Sequence, residues 1–138
     1  MVDASEFNRR IIEEFRANGG RVAQFAHMTL LVLHTTGAKS GLPRLNPAAY
    51  MADDDRFVIF ASNAGRPSNP AWFYNLAANP KVRIEVGDET FPARATIAEE
   101  PERSRLFKQM AESHPIFVEY QAKTTRIIPV VSLNREGT

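Results

Sequence analysis

Apolar residues recur at helical spacing near the N-terminus, where Phe7, Ile11, Ile12 and Phe15 fall on one face. Ser5 is a fitting N-cap and Gly19-Gly20 a stop, which predicts a helix over 5–19. The period then shortens. Leu30-Leu31-Val32-Leu33 is an unbroken apolar run, as in a strand covered on both faces. Arg44–Met51 alternates, with Leu45, Pro47, Ala49 and Met51 on one side and Arg44, Asn46, Ala48 and Tyr50 on the other. Asp53-Asp54-Asp55 turns the chain into a strand over 56–62. Val82, Ile84 and Val86 oppose Lys81, Arg83 and Glu85, and Gly87-Asp88 leads into 90–97 with Phe91, Ala93, Ala95 and Ile97 inward. A last strand spans 127–133, where Pro129 marks an edge or a bulge. Asn69-Pro70 reads as an N-cap followed by proline at the first helical position, opening a helix over 71–78 that Asn79-Pro80 ends. Pro101 opens another helix with Leu106, Phe107 and Met110 inward, and a short one covers 116–122. About six strands, mostly antiparallel, with flanking helices predict an α+β fold: a small closed or half-closed barrel over about 30–134 in a single domain, 1–138. No strand is followed by GxGxxG, so a Rossmann sheet is not expected.

Composition narrows the chemistry. A hydrophobic content of 43% with 24% charged residues is that of a soluble globular domain. The net charge of +1 provides no global field for nucleic acid or anionic membrane, so attraction for an acidic ligand must be local. The absence of cysteine excludes disulfides, thiolate nucleophiles and iron–sulfur clusters, and His27, His34 and His114 fit no metal-ligand spacing, so no metal site is expected. No apolar run reaches the roughly 18 residues of a membrane span and no signal-peptide pattern is present, so a cytoplasmic protein is expected. The polar face of the first helix mixes Glu6, Arg9, Arg10, Glu13, Glu14 and Arg16. That near-neutral face favours packing against the barrel and leaves a weak peripheral contact with the inner face of the membrane open.

Three stretches carry candidate chemistry. In Thr35-Thr36-Gly37-Ala38-Lys39-Ser40-Gly41-Leu42-Pro43-Arg44, glycines at both ends let successive N–H groups converge, with Lys39 central, hydroxyls beside it and the Arg44 fork within reach. These are the parts of a phosphate or carboxylate cradle, although a solvated hairpin accounts for the residues equally well. In Ala61-Ser62-Asn63-Ala64-Gly65-Arg66-Pro67-Ser68-Asn69-Pro70-Ala71-Trp72, a strand end runs through a small polar loop into a helix N-terminus, and Trp72 with Asn75 offers an aromatic wall beside an amide. Core packing of Trp72 is the competing reading. In the third stretch, His114, Phe117 and Tyr120 are spaced by three, and Tyr120 is a candidate proton donor against a core role for Phe117. Nothing marks a hydrolytic triad, which leaves the reactivity to a bound cofactor.

The runs TTGAKSGLPRLNP and ASNAGRPSNPAWFYNLAANPKV, with the ending Arg126-Ile127-Ile128-Pro129-Val130-Val131, resemble the deazaflavin-dependent nitroreductase family of actinobacteria from about Leu31 to Leu133. The resemblance implies a split β-barrel like that of flavin-mononucleotide-binding oxidoreductases. It implies coenzyme F420, a deazaflavin with a phosphate and an acidic oligoglutamyl tail, rather than flavin mononucleotide. It further implies that Thr36, Ala38, Lys39, Ser40, Gly41 and Arg44 hold the phosphate and tail, and that Asn46 and Pro47 lie along the cofactor. Ala61, Ser62 and Asn63 would edge the ring, with Ala71, Trp72 and Asn75 bordering it. Hydride would pass to a small-molecule acceptor (a quinone, nitroaromatic or activated alkene), with Tyr120 and Ser62 as polar contacts to it. A carrier of the coenzyme without a dedicated substrate is the alternative. The family's best-known members have tyrosines at the positions of Ala49, His114 and Phe117, so the resemblance implies a less hydroxylated pocket here; position 38, often basic in the family, is alanine, which implies weaker binding of the tail. Members often act as monomers, whereas flavin-mononucleotide barrels are commonly homodimers, and either state is open here.

Overall fold

The computed structural model describes residues 4–136, with side chains from residue 6 onward, so the expected cap Ser5 has its side chain outside the described residues. Six strands form as the alternation predicts: β1 (Leu30–Thr36), β2 (Pro43–Asp53), β3 (Arg56–Phe60), β4 (Lys81–Val86), β5 (Glu89–Ile97) and β6 (Val130–Arg135). All neighbours pair antiparallel, and the ring closes in the order β1-β2-β3-β6-β5-β4. Four α-helices accompany them: α1 (Ala4–Ala17), α2 (Ala71–Ala78), α3 (Glu102–Ser113) and α4 (Ile116–Ala122).

The inward set fills the barrel with Leu31 and Leu33 of β1, Ile59 of β3, Ile84 of β4, Phe91 of β5 and Leu133 of β6. Helix α2 plugs it, sending Trp72 and Leu76 into this cluster. Each such side chain contributes about 1.5–3 kcal/mol by leaving water. The outer faces are covered in two places. Ile11, Ile12 and Phe15 of α1 pack on Leu30 and Val32 of β1, and α3 and α4 bring Leu106, Met110 and Phe117 onto Val58, Phe60 and Val130 of β3 and β6. The unbroken apolar run of β1 follows from this double coverage.

Several expectations shift. Phe7 lies outside the α1 contact and is exposed, as is Ile97 at the very end of β5. The final strand starts at Val130 rather than 127: Ile127 is exposed, and a closed ring leaves no edge on which Pro129 would be tolerated. Most telling is β2. Among the described strands it alone contains no buried residue, although it pairs on both sides. Ala49, halfway along it, touches both helical clusters. The ring stays closed, and it is along β2 that its outer face is least covered.

Candidate active site

The loop from β1 to β2 is built on two glycines that do different work. Gly37 N–H donates to Leu42 O at 2.8 Å and Gly41 N–H to Gly37 O at 2.9 Å, closing the hairpin. Ser40 tucks its hydroxyl beneath, accepting from Leu42 N–H at 3.2 Å and from Arg44 Nη2 at 3.4 Å. A Cβ on Gly37 would stand 2.5 Å from that oxygen and displace the Ser40 hydroxyl from this place, whereas Gly41 needs glycine for φ +70°. The buried amide of Asn75 ties this hairpin to α2: its Oδ1 accepts from Ala38 N–H at 2.9 Å and its Nδ2 donates to Thr35 Oγ1 at 3.1 Å. The Ala38 amide is thus committed, and the amides left free for an anion are those of Lys39 and Ser40. Among the described residues Lys39 has no protein partner, and Arg44 meets no carboxylate, only Ser40 and its neighbour's carbonyl. Two exposed cations converge on one loop without compensating charge.

They open onto a cleft of about 1120 Å³. The hairpin and the start of β2 form one side with Gly37, Lys39, Ser40, Arg44 and Asn46; α2 contributes Ala71, Tyr74 and Asn75; α1 closes over with Asn8, Ile12 and Arg16. Thr36 and Gly41 flank the lining, and Pro47 continues β2 beyond it. Trp72 is a correction: it is buried in the barrel, because α2 is a plug whose inner face must be apolar, and the aromatic facing the cleft is Tyr74.

Helix α1 is held in place by charge as well as by packing. Arg16 donates from Nε and Nη2 to Glu85 at 2.9 and 2.6 Å, and His34 Nε2 donates to the same carboxylate at 2.6 Å. Glu85 alternates outward with Lys81 and Arg83 as expected, yet it is buried, since α1 lies over that face. The Arg16 hydrogen bonds, followed by that of His34 and against the penalty of burial, hold its carboxyl below the usual glutamate range. A depressed folded-state value stabilises the fold above the unfolded pKa of about 4.3 and loses that stabilisation as pH falls through the folded value. Glu85→Gln is expected to lower stability by about 1–3 kcal/mol at neutral pH, with the difference from the parent shrinking below about pH 4. Thermal melts across pH 3–8 check this, and a constant difference at every pH would contradict it.

Across β2, the loop after β3 takes an uncommon path. Asn63, Ala64 and Gly65 are successively left-handed (φ 48°, 54° and 80°), at about 1–2 kcal/mol for each of the two that are not glycine. Arg126 holds the loop from beneath: Nη1 donates to Ala61 O at 3.1 Å and Asn69 Oδ1 at 2.7 Å, Nη2 to Ser62 O at 2.8 Å, and Nε to Arg66 O at 3.1 Å. With its side chain taken, Asn69 does not cap α2; Pro70 occupies the cap position. Gly65 also rests on α4, where a Cβ would lie 2.8 Å from Tyr120 O. Ala61 is buried, while Ser62, Asn63 and Tyr120 are half-buried. Tyr120 packs edge-on against Phe117, which belongs to the α3–α4 core, and His114 ends α3. The candidate residues therefore fall into a cationic group at the α1 cleft and a Ser62–Asn63–Tyr120 group on the far side of β2. The sequence reading quoted Arg126 within the family-like ending but gave it no role, and it missed the Arg16–Glu85–His34 cluster. Among the described residues no group of His, Asp or Glu is placed to hold a metal ion, and no helix is long and apolar enough to cross a membrane.

A family model described as F420H(2)-dependent quinone reductase matches residues 7–135. The chain belongs to this family. An F420H(2)-dependent quinone reductase of Mycobacterium tuberculosis is 42% identical over 108 residues, covering 76% of this chain and 72% of that protein. Among solved structures, an F420-H2 dependent reductase, FDR-A, superposes with a TM-score of 0.70 at 37% identity, covering 76% of this chain and 93% of that one. A structure described as a domain-swapped dimer superposes with a TM-score of 0.71 at 31% identity, over 96% and 100% of the two chains. A more distant likeness, to the Vibrio cholerae protein HutZ at 21% identity and a TM-score of 0.61, extends the fold alone.

Proposed function

We propose that this chain is an F420H2-dependent quinone reductase whose cationic hairpin holds the phosphate and acidic tail of the coenzyme, with the ring over β2. The observation that carries the reading is the pairing of two uncompensated cations, Lys39 and Arg44, with free amides at the mouth of a cleft large enough for a cofactor. The residues fit the group. Charge-assisted bonds suit a phosphate and carboxylates, and the open face of β2 suits a flat ring.

When bound, reduced F420 supplies a hydride from C5 of its deazaflavin, a two-electron donor that reacts slowly with oxygen. The chain's own part is placement and the proton. Lys39 and Arg44 anchor the anionic end, Asn46 and Pro47 run beside the cofactor, and Ile12 of α1 excludes water. A quinone that accepts a hydride still needs one proton to become a hydroquinone. The Tyr120 hydroxyl, which has no hydrogen-bond partner among the described residues, supplies it and is reprotonated from solvent, while Ser62 orients the acceptor oxygen. Nitroaromatic and activated-alkene acceptors use the same geometry.

Helix α1 serves the cleft rather than a membrane. Arg9 and Glu13 pair with each other on its cleft side and Arg10 pairs with Glu6, so its arginines are balanced by acids rather than gathered into a basic face. Whether the chain works as a monomer or as a dimer like its domain-swapped relative is decided by light scattering.

Fluorescence titration is expected to give micromolar or tighter binding of F420 and none of flavin mononucleotide; the reverse order would overturn the reading. Tyr120→Phe is expected to keep F420 binding within about 2-fold and to lower menadione turnover by at least 10-fold. Unchanged turnover removes the proton-donor role.

A further inference from the structure

Arg126 lies outside every residue set assigned so far to binding or catalysis, yet it makes four hydrogen bonds to the loop beside the proposed ring site. The acceptors come from both ends of that loop: Ala61 and Ser62 where β3 ends, Arg66 and Asn69 where α2 is about to begin. All four are neutral, and among the described residues no carboxylate pairs with this guanidinium. Burial accordingly pushes its pKa down, with Tyr74 of the cleft wall acting weakly in the other direction. An arginine kept in such a place without a counter-charge is kept for its planar fork, which reaches several acceptors in fixed directions; a lysine ammonium has the charge but not that geometry. What the fork fixes is the left-handed turn at Asn63, Ala64 and Gly65, the direction of Ser62, and the entry angle of α2, which presents Ala71, Tyr74 and Asn75 to the cleft.

We propose that Arg126 is a positioning residue for the cofactor-ring subsite: it closes the Ala61–Asn69 loop from beneath, so that Ser62 and the α2 wall are aligned before any ligand arrives. This rests on the F420 reading above for the identity of the ring, and on the hydrogen bonds alone for the closed loop.

Arg126→Lys retains the charge and removes the fork. In the cofactor-free protein, the amides of Gly65 and Arg66, which donate to Ser62 O and Asn63 O, are expected to exchange with deuterium at least 10-fold faster than in the parent, while the melting temperature falls by no more than about 5 °C, because no core cluster includes Arg126. F420 is expected to bind within about 5-fold of the parent through Lys39 and Arg44, with kcat for menadione down at least 10-fold and its KM within about 3-fold. Asn69→Ala, which removes a single acceptor, should move exchange and kcat in the same direction by a smaller factor, and it decides the matter if the lysine variant does not fold. Parent-like exchange and kcat in the folded variant would overturn the proposal. If the parent itself fails to bind F420, the cofactor reading falls; the exchange contrast still decides whether Arg126 closes the loop.

Discussion

Gly65→Val is expected to destabilise the protein by more than about 3 kcal/mol, lowering the melting temperature by roughly 10 °C or more, and to abolish quinone reduction in whatever fraction remains folded. Two separate penalties meet at this residue. Its φ of +80° lies where side chains are rarely found, and a β-branched one is the least tolerant of it. In addition, the new Cβ would lie 2.8 Å from Tyr120 O and 2.9 Å from Lys123 Cβ. The first of these is backbone in α4, which has no room to retreat while Phe117 remains seated in its core. The loop must then leave α4 and carry Ser62 away from Tyr120. Gly41→Ala is the control: it has a comparable φ of +70°, but open space where the Cβ would go, and should cost only about 1 kcal/mol. Equal melting temperatures for the Gly65 variant and the parent would show that the turn is not clamped between Arg126 and α4.

The second large effect is expected at the hairpin. Lys39→Ala should weaken F420 binding about 10- to 100-fold, as a lost charge-assisted hydrogen bond of roughly 1.5–3 kcal/mol implies. Lys39→Ala combined with Arg44→Ala should weaken it by at least 10²-fold. The two side chains share one anionic region, so their losses need not add. Both are exposed, and salt screens exposed charges, so the parent's affinity should fall with ionic strength while the double variant's responds less. The fold should be indifferent, because neither cation pairs with a carboxylate in the protein. A fluorescence titration of the three proteins at low and high salt checks all of this. Equal affinities would move the anionic end of the coenzyme elsewhere.

The periodicities made the strands and helices legible because the two faces of each element meet different surroundings. Helix 71–78 has its expected ends, since Pro70 and Asn79-Pro80 punctuate it in the sequence itself, and Pro115 likewise marks the start of helix 116–122. The cationic hairpin was legible for the same local reason: two glycines and two cations stand within ten residues. What could not be read were the features made by distant parts of the chain. Glu85 alternates like any solvated strand residue, and only the arrival of α1 with Arg16 buries it. Trp72 has the composition of a ligand-facing aromatic, but α2 is the barrel's plug and turns it inward. Asn69 before proline reads as a helix cap, and Arg126, from the other end of the chain, takes its oxygen. Arg126 stands in the ending 126–131 that carries the family resemblance, but its role could not be read there, because three of its four acceptors are backbone carbonyls, which every residue possesses.

A crystal structure of the protein with F420 bound tests the central claim most directly. The acidic tail should lie against Lys39 and Arg44, with the ring along β2 between α1 and the Ser62–Asn63 turn. A coenzyme found elsewhere, with both cations facing solvent, would contradict it.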